Sequence, residues 1–460
     1  MDLSHQQATI NKQPSSISIT GSKSETNRLL LLQALYPNLV LENTSNSDDS
    51  EVMMEALNLK PTTHNPQPIN IHHAGTAMRF LTAYFAIQEG SEVSLTGSSR
   101  MKERPIKILV DALKQLGAEI NYIEKEGFPP IQITGKKLTQ SKVSLSANVS
   151  SQYISALLLI APKLENGLEL TLEGAITSIP YIQMTLALLN EIGVTTSFEN
   201  NTIKVSHLES IPPTGVRGLI ESDWSSASYY YSIVALSEIG TQITLSIYKQ
   251  NSLQGDAALV EIYKDFGVET TFNNNNSITL KKHKTDNSQP SISASSPSPL
   301  ERVGERFAYN LNNSPDIAQT IAVTCFGLGI GCHLTGLHTL KIKETDRLEA
   351  LKTELTKLGA SISVTNDSLT LQSTAFHSPP LEGCSKGGVV FPSKEEALSK
   401  VPTSSSIPKI ATYQDHRMAM AFTPLALKMP LVIEEAEVVS KSYPTFWDDL
   451  KTIGFQISEL

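Results

Sequence analysis

The stretch Ile108-Leu-Val-Asp-Ala-Leu-Lys-Gln-Leu116, followed by Gly117-Ala118 and then Glu119-Ile-Asn-Tyr122, reads as a helix, a stop and a strand. Apolar residues recur at helical spacing up to Leu116, and a short strand pattern follows Ala118. A glycine just past a helix enters the left-handed region with no Cβ penalty, so Gly117 predicts the cap. The pattern recurs four times. Met184 to Ile192 runs into Gly193-Val194, Leu259 to Phe266 into Gly267-Val268, Leu348 to Leu358 into Gly359-Ala360, and Phe446 to Ile453 into Gly454-Phe455. The five glycines are spaced by 76, 74, 92 and 95 residues. Each long interval holds a polar, Ser- and Pro-rich stretch, at 281–305 and 377–409, that reads as an inserted surface loop. Without it each interval would be about 70 residues, and a helix–strand unit at fixed period marks a repeat architecture. Glu51 to Leu57 fits a shortened helix of a sixth unit.

Composition narrows the function. The chain has 460 residues, 40% hydrophobic and 18% charged. At roughly 150 residues per domain that is two to four domains with ample core, which excludes a disordered or collagen-like chain. A net charge of −9 argues against a broad grip on nucleic acid. No apolar run reaches the ~20 residues of a membrane span, and no basic-then-apolar leader opens the chain. Three cysteines are too few for a disulfide framework or a zinc cluster. The expectation is a cytoplasmic protein with no metal, no membrane and no nucleic acid partner.

Chemistry gathers at turns that open helices. Gly21-Ser-Lys-Ser-Glu-Thr-Asn-Arg28 precedes an apolar helix and offers backbone N–H groups, Lys23, Ser24 and Arg28 to an anion. His72-His-Ala-Gly-Thr-Ala-Met-Arg79 leads into another, and its Gly75 allows close approach to the backbone. Arg100-Met-Lys-Glu-Arg104 places two arginines where each could grip phosphate or carboxylate in bidentate fashion. Ser150-Ser-Gln152 and Ser178-Ile-Pro-Tyr181 are uncharged donor clusters. Gln254-Gly-Asp256 and Ser314-Pro-Asp316 precede helices, and Lys343-Glu-Thr-Asp-Arg347 and Asp415-His-Arg417 open two more. Six of the nine arginines lie in these stretches. An acidic chain that spends its arginines at helix starts is binding small anions.

In this order the stretches resemble the 5-enolpyruvylshikimate-3-phosphate synthase (3-phosphoshikimate 1-carboxyvinyltransferase) family. The resemblance runs from Gly21 to about Trp447. It implies an α/β fold of two inside-out α/β barrel domains, each of three βαβαββ units, with a cleft between them. One domain is discontinuous, residues 1–20 plus 222–460; the other spans 21–221. The implied reaction joins phosphoenolpyruvate to the 5-hydroxyl of shikimate 3-phosphate and releases phosphate, without metal or organic cofactor, in a monomer. Asp316 is then the base for the hydroxyl, Glu344 the proton shuttle for the methylene carbon, and Lys23 lies between the substrates. Ser24, Arg28, Ser150, Ser151, Gln152, Ser178, Tyr181 and Lys343 surround shikimate 3-phosphate. Gly75, Arg100, Arg347, Arg417 and Lys441 surround phosphoenolpyruvate, which Gln152 also reaches. Asp415 and His416 are supporting candidates.

The sequence departs from the family pattern at His72 and His73, at Thr339 where Asn is frequent, at Gln414, and at bulky Trp224. Three rivals share parts of the reading. UDP-N-acetylglucosamine enolpyruvyl transferase carries a loop cysteine and lacks Lys-Glu-Thr-Asp-Arg. RNA 3′-phosphate cyclase, built from related units, needs nucleic acid and ATP. A binding protein without turnover would keep the anion sites alone.

Overall fold

Gly117, Gly193, Gly267, Gly359 and Gly454 all take positive φ, between 75° and 109°, each just past a helix. The computed structural model describes residues 3–5, 15–59, 68–146, 150–174, 176, 179–210, 216–284, 306–373 and 407–459. Most of both stretches read as insertions lies outside the described residues. Two ends of that reading need correction: strand Ser277–Lys282 continues through 281, and Lys409 opens strand Lys409–Ile410. Lys281 and Lys282 look like loop in isolation, yet each pairs across the sheet, and the buried Lys282 ammonium donates to the Phe266 carbonyl at 2.7 Å.

Six sheets carry the described strands, five of four strands and one of two. Strands Lys142–Ser146 and Leu168–Glu173 pair in parallel, and Thr202–Val205 and Thr196–Glu199 add in antiparallel sense. Parallel pairing needs a crossover, supplied by helix Ser151–Ile160; helix Ile179–Glu191 leads to the hairpin. This is a βαβαββ unit. The sheet at Ile69–Asn70 and Glu92–Thr96 has the same order, as has the sheet at Arg306–Asn310 and Gly331–Thr335. Leu3–His5 completes the last unit, lying between Leu431–Ile433 and Ile457–Glu459.

Helices fill the interior and sheets lie outside. Helix Gly75–Ala86 buries every residue except Tyr84, and Trp224–Leu236 and Ala318–Leu328 are buried to a similar degree. A helix that is apolar all round belongs at the centre of a domain. Two separate cores result. One joins Ile17 and Ile19 to residues from Trp224 to Phe455; the other runs from Leu29 to Ile220.

The chain passes between the two cores twice, side by side. Strand Ser15–Ile17 pairs in one lobe with Gln242–Ser246, and the chain then enters helix Lys23–Leu35 of the other. Strand Val216–Leu219 pairs with Leu39–Glu42 before the chain returns into helix Trp224–Leu236. Gly21 and Ser222 form an antiparallel bridge, and Ser22 N–H donates to the Glu221 carbonyl at 2.8 Å. A Cβ on Gly21 would lie 1.9 Å from the Asn43 carbonyl oxygen, so only glycine fits this crossing. The helix Asp48–Asn58 matches the expected sixth helix and is longer than its sequence pattern showed.

Candidate active site

Helix starts from both lobes converge on one cleft of about 300 Å³. Ser22 and Lys23, Gly75, Ser150 and Ser151, Asp223, Pro315 and Asp316, Arg347 and His416 all line it, each at or beside a helix N-terminus. Ser22 and Ala74 make no side-chain cap bond. Their helices thus present backbone N–H groups and the positive end of the dipole to the cleft. Seven Lys and Arg residues line it against five Asp and Glu.

The lobe whose core runs from Leu29 to Ile220 contributes cations to the cleft with almost no counter-charge. Arg28 is buried and donates to Thr185 Oγ1 (2.8 Å), the Ser24 carbonyl (2.7 Å) and Ser155 Oγ (2.9 Å). Arg79 is buried too and donates to the Gly75 and Pro105 carbonyls at 3.0 and 3.2 Å, while its Nε has no partner. Neither has a carboxylate ion-pair partner among the described residues. Burial pulls both guanidinium groups down, to about 10, yet both stay charged at neutral pH. Arg104 reaches the start of helix Gly75–Ala86: a Cβ on Gly75 would lie 2.6 Å from its Nη1. Lys23 Nζ is 3.5 Å from Asp49, among the described residues the one carboxylate that this lobe contributes to the cleft lining.

The opposite lobe pairs each of its cleft-lining cations, Lys343, Arg347 and Arg417, with acid. Arg347, 1% exposed, holds three carboxylates: Asp415 through Nε at 2.6 Å, Asp316 through Nη1 at 2.8 Å and Glu344 through Nη2 at 2.7 Å. Asp316 also meets Lys343 and Arg417, each at 3.4 Å. Burial pushes Asp316 up, but Arg417, Lys343 and Arg347 outweigh it and hold the carboxyl well below the usual range. Glu344 is likewise pushed up by burial and pulled further down by the Arg347 guanidinium, with Arg104 and Lys23 adding to the pull. Both carboxylates are therefore ionised and sit on the two arms of one guanidinium. Neither ring nitrogen of buried His416 has a hydrogen-bond partner, Nδ1 lying 4.0 Å from an Asp415 carboxylate oxygen, and burial beside Lys23 keeps the ring neutral.

Such a cleft binds anions on one wall and places two aimed carboxylates on the other. The sequence model described as EPSP synthase (3-phosphoshikimate 1-carboxyvinyltransferase) matches residues 44–450. A 3-phosphoshikimate 1-carboxyvinyltransferase of Bacteroides fragilis is 43% identical over 446 residues, covering 96% of this chain and 95% of that one. One of Mannheimia haemolytica is 32% identical, covering 97% and 98%. The chain belongs to the EPSP synthase family. A solved EPSP synthase from Acinetobacter baumannii shares the fold at a TM-score of 0.72 and 19% identity, with each chain covered in full.

Of the residues that the resemblance to the EPSP synthase family singled out, Lys23, Ser24, Arg28, Gly75, Ser150, Ser151, Gln152, Tyr181, Asp316, Lys343, Glu344, Arg347 and Arg417 line the cleft. Ser178 lies outside the described residues. Arg100 and Lys441 do not line it. Arg100 is exposed in the short helix Ser99–Lys102 and pairs with Glu103 at 2.9 Å; after that helix the chain turns and brings in Arg104 instead. Lys441 Nζ donates to the Gln414 carbonyl at 2.8 Å. Arg79, Asp49, Asp223, Ser225 and Asp256 line the cleft without having been assigned to it.

The departures from the EPSP synthase family pattern sort themselves by position. Trp224 is core: its Nε1 donates to Glu221 at 2.7 Å and its ring meets Tyr248 edge-on. Thr339 faces the cleft with a buried hydroxyl that has no partner. His73 Nε2 lies 3.9 Å from Asp49 and 4.0 Å from Asp48. Gln414 and Tyr413 both hold left-handed φ, 55° and 54°, just before the helix His416–Phe422.

Proposed function

We propose that this cleft transfers the enolpyruvyl group of phosphoenolpyruvate to the 5-hydroxyl of shikimate 3-phosphate and releases inorganic phosphate. One observation carries the reading: two buried arginines without carboxylate partners face, across a single cleft, two ionised carboxylates held on one guanidinium. The first half demands anionic ligands. The second supplies proton transfer between them.

Arg28, Ser24, Ser150, Ser151, Tyr181 and Lys343 take shikimate 3-phosphate, with Ser178 completing the phosphate end. Lys23, Gly75, Gln152, Arg104, Arg347 and Arg417 take phosphoenolpyruvate, Arg104 in the place expected of Arg100. Lys441 joins on leaving Gln414. Asp316 accepts the proton of the 5-hydroxyl as its oxygen bonds to C2 of phosphoenolpyruvate, while C3 receives a proton from Glu344. Glu344 is ionised in the unliganded protein, so it must first take up a proton. Binding of the donor carboxylate to Arg347 loosens that hold and raises the affinity of Glu344 for a proton. In the second half Glu344 takes a proton back from C3, the double bond re-forms, and phosphate departs with the C2–O electron pair and the proton held by Asp316.

All groups come from one chain, so a monomer suffices, with residues 1–20 plus 222–460 forming one domain and 21–221 the other. The cytoplasm, where phosphoenolpyruvate is made, is the compartment that fits. Among the described residues no helix is long and apolar enough to cross a membrane. Purified protein given both substrates should release phosphate and yield the enolpyruvyl product by mass spectrometry; no release with both present would refute the reading. Glu344→Gln should lower kcat about 10²- to 10⁴-fold while calorimetry still detects shikimate 3-phosphate binding, and undiminished turnover would remove Glu344 from the chemistry.

A further inference from the structure

Asp256 stands at the wall of the cleft with no part in the scheme above. It follows Gln254-Gly255 and is 5% exposed. Its Oδ2 accepts a hydrogen bond from the Ser225 hydroxyl. The same Ser225 oxygen accepts from Arg417 Nη2 at 3.3 Å. Among the described residues the Arg417 side chain otherwise bonds or ion-pairs only with Asp316, at its backbone carbonyl (3.2 Å) and its carboxylate (3.4 Å). The guanidinium thus hangs between the proposed base and a hydroxyl that Asp256 orients. A serine hydroxyl has one proton and can point it either way. Directed at Asp256, that proton leaves the lone pairs to Arg417. The other carboxyl oxygen, Oδ1, is buried and has no partner.

We infer that Asp256, acting through Ser225, is a positioning residue that sets Arg417 for phosphoenolpyruvate. This rests on the function proposed above. An arginine held by the base alone would follow Asp316 whenever that carboxylate takes up a proton. The Ser225–Asp256 arm keeps it in place through the cycle. Charge supports the arrangement. Burial, then the neighbouring Asp316 charge, pushes the Asp256 carboxyl up to about 7, against Arg417 and Ser225, with Asp223 adding to the rise. A bound trianionic donor would push it higher, so donor binding carries a proton onto Asp256 and weakens above pH 7.

The test begins with the unaltered protein and both substrates; failure there sinks the proposed function and not this arm. Given turnover, Ser225→Ala and Asp256→Ala should each raise KM for phosphoenolpyruvate about 10- to 100-fold, with shikimate 3-phosphate affinity changed less than about threefold. The double variant should be no worse than the worse single one, because the two residues form one chain. Ser225→Thr and Asp256→Asn should recover most of the loss, and Asp256→Asn should lose the weakening of donor binding above pH 7. If Asp256→Ala does not fold, Ser225→Ala and Ser225→Thr still decide. Multiplying effects in the double variant, a loss falling on shikimate 3-phosphate, or no rescue by the conservative variants would overturn the inference.

Discussion

Arg28 and Arg79 state the cost of this site. Each is a buried cation compensated by carbonyls, hydroxyls and ring faces: Arg28 lies 5.5 Å from the Phe80 ring centroid and 5.8 Å from that of Tyr181. Carbonyl and ring contacts soften the loss of water without neutralising the charge. Binding of a phosphate removes that deficit, so ligand should stabilise the fold strongly. Arg104 and Arg100 make the distinction testable. Arg104→Ala should raise KM for phosphoenolpyruvate about 10- to 100-fold, whereas exposed Arg100→Ala should stay within about threefold, in steady-state assays of both variants. The sequence Arg100-Met-Lys-Glu-Arg104 held both candidates and no local signal to choose between them. The choice lies in where the helix Ser99–Lys102 stops. The single-residue pattern likewise hid Asp256, which looks like any acid before a helix until Ser225 and Arg417 are seen beside it.

At the scale of elements, cap chemistry holds the reactive groups in place. The Asp346 carboxylate accepts from Leu348 N–H at 3.1 Å and Glu349 N–H at 3.2 Å, fixing the first turn of Arg347–Lys357. Asp346→Ala should lower stability by about 1 kcal/mol, read by chemical denaturation, and kcat should fall with it because the same turn carries Arg347 and adjoins Glu344. Gly75→Ala acts on the opposite wall. Its methyl would press on the Arg104 guanidinium tip at 2.6 Å, a flexible end that yields. Folding should therefore survive while KM for phosphoenolpyruvate rises and affinity for shikimate 3-phosphate holds; an unchanged KM would contradict the placement of Arg104. Elements of this kind were legible: the glycine stops, the apolar helices and the turns before them all follow local rules. Their outer partners were less so. Lys281 and Lys282 read as loop because the polar end of an inner strand looks like one until its register is known. Helix Ile179–Glu191 begins five residues before the Met184 from which its stretch was read, with Pro180 in its first turn, where proline is tolerated.

The molecule as a whole is two cores tied by two crossing segments, and the tie contains a buried acid. Glu25, 4% exposed, lies in the first turn after one crossing. Burial raises its carboxyl to about 7, with Glu221 and Glu191 adding to the rise and Lys249 opposing it. The unfolded carboxyl ionises near 4.5, so the contribution of Glu25 to stability is fully present below that pH and is lost as pH rises through 7. The loss is on the order of 3 kcal/mol at most. Glu25→Gln should flatten that decline and be the more stable protein at pH 8, measured by urea unfolding at pH 5 and pH 8. Strand exchange gives a second expectation. Without residues 1–20, the sheets at 242–246 and 431–433 each lose a strand, so limited proteolysis should degrade 222–460 before 21–221. The resemblance implied two such bodies, one of them discontinuous; the register adds that Ser15–Ile17 pairs with Gln242–Ser246 of one body and Val216–Leu219 with Leu39–Glu42 of the other. A single covalent link would let the halves swivel freely. Two links lying antiparallel and stitched at Gly21 and Ser222 forbid torsion and leave a book-like fold about its spine. A tether at Ser440 and Asp48, which already meet across the lobes at 2.9 Å, would then oppose any bending about that spine.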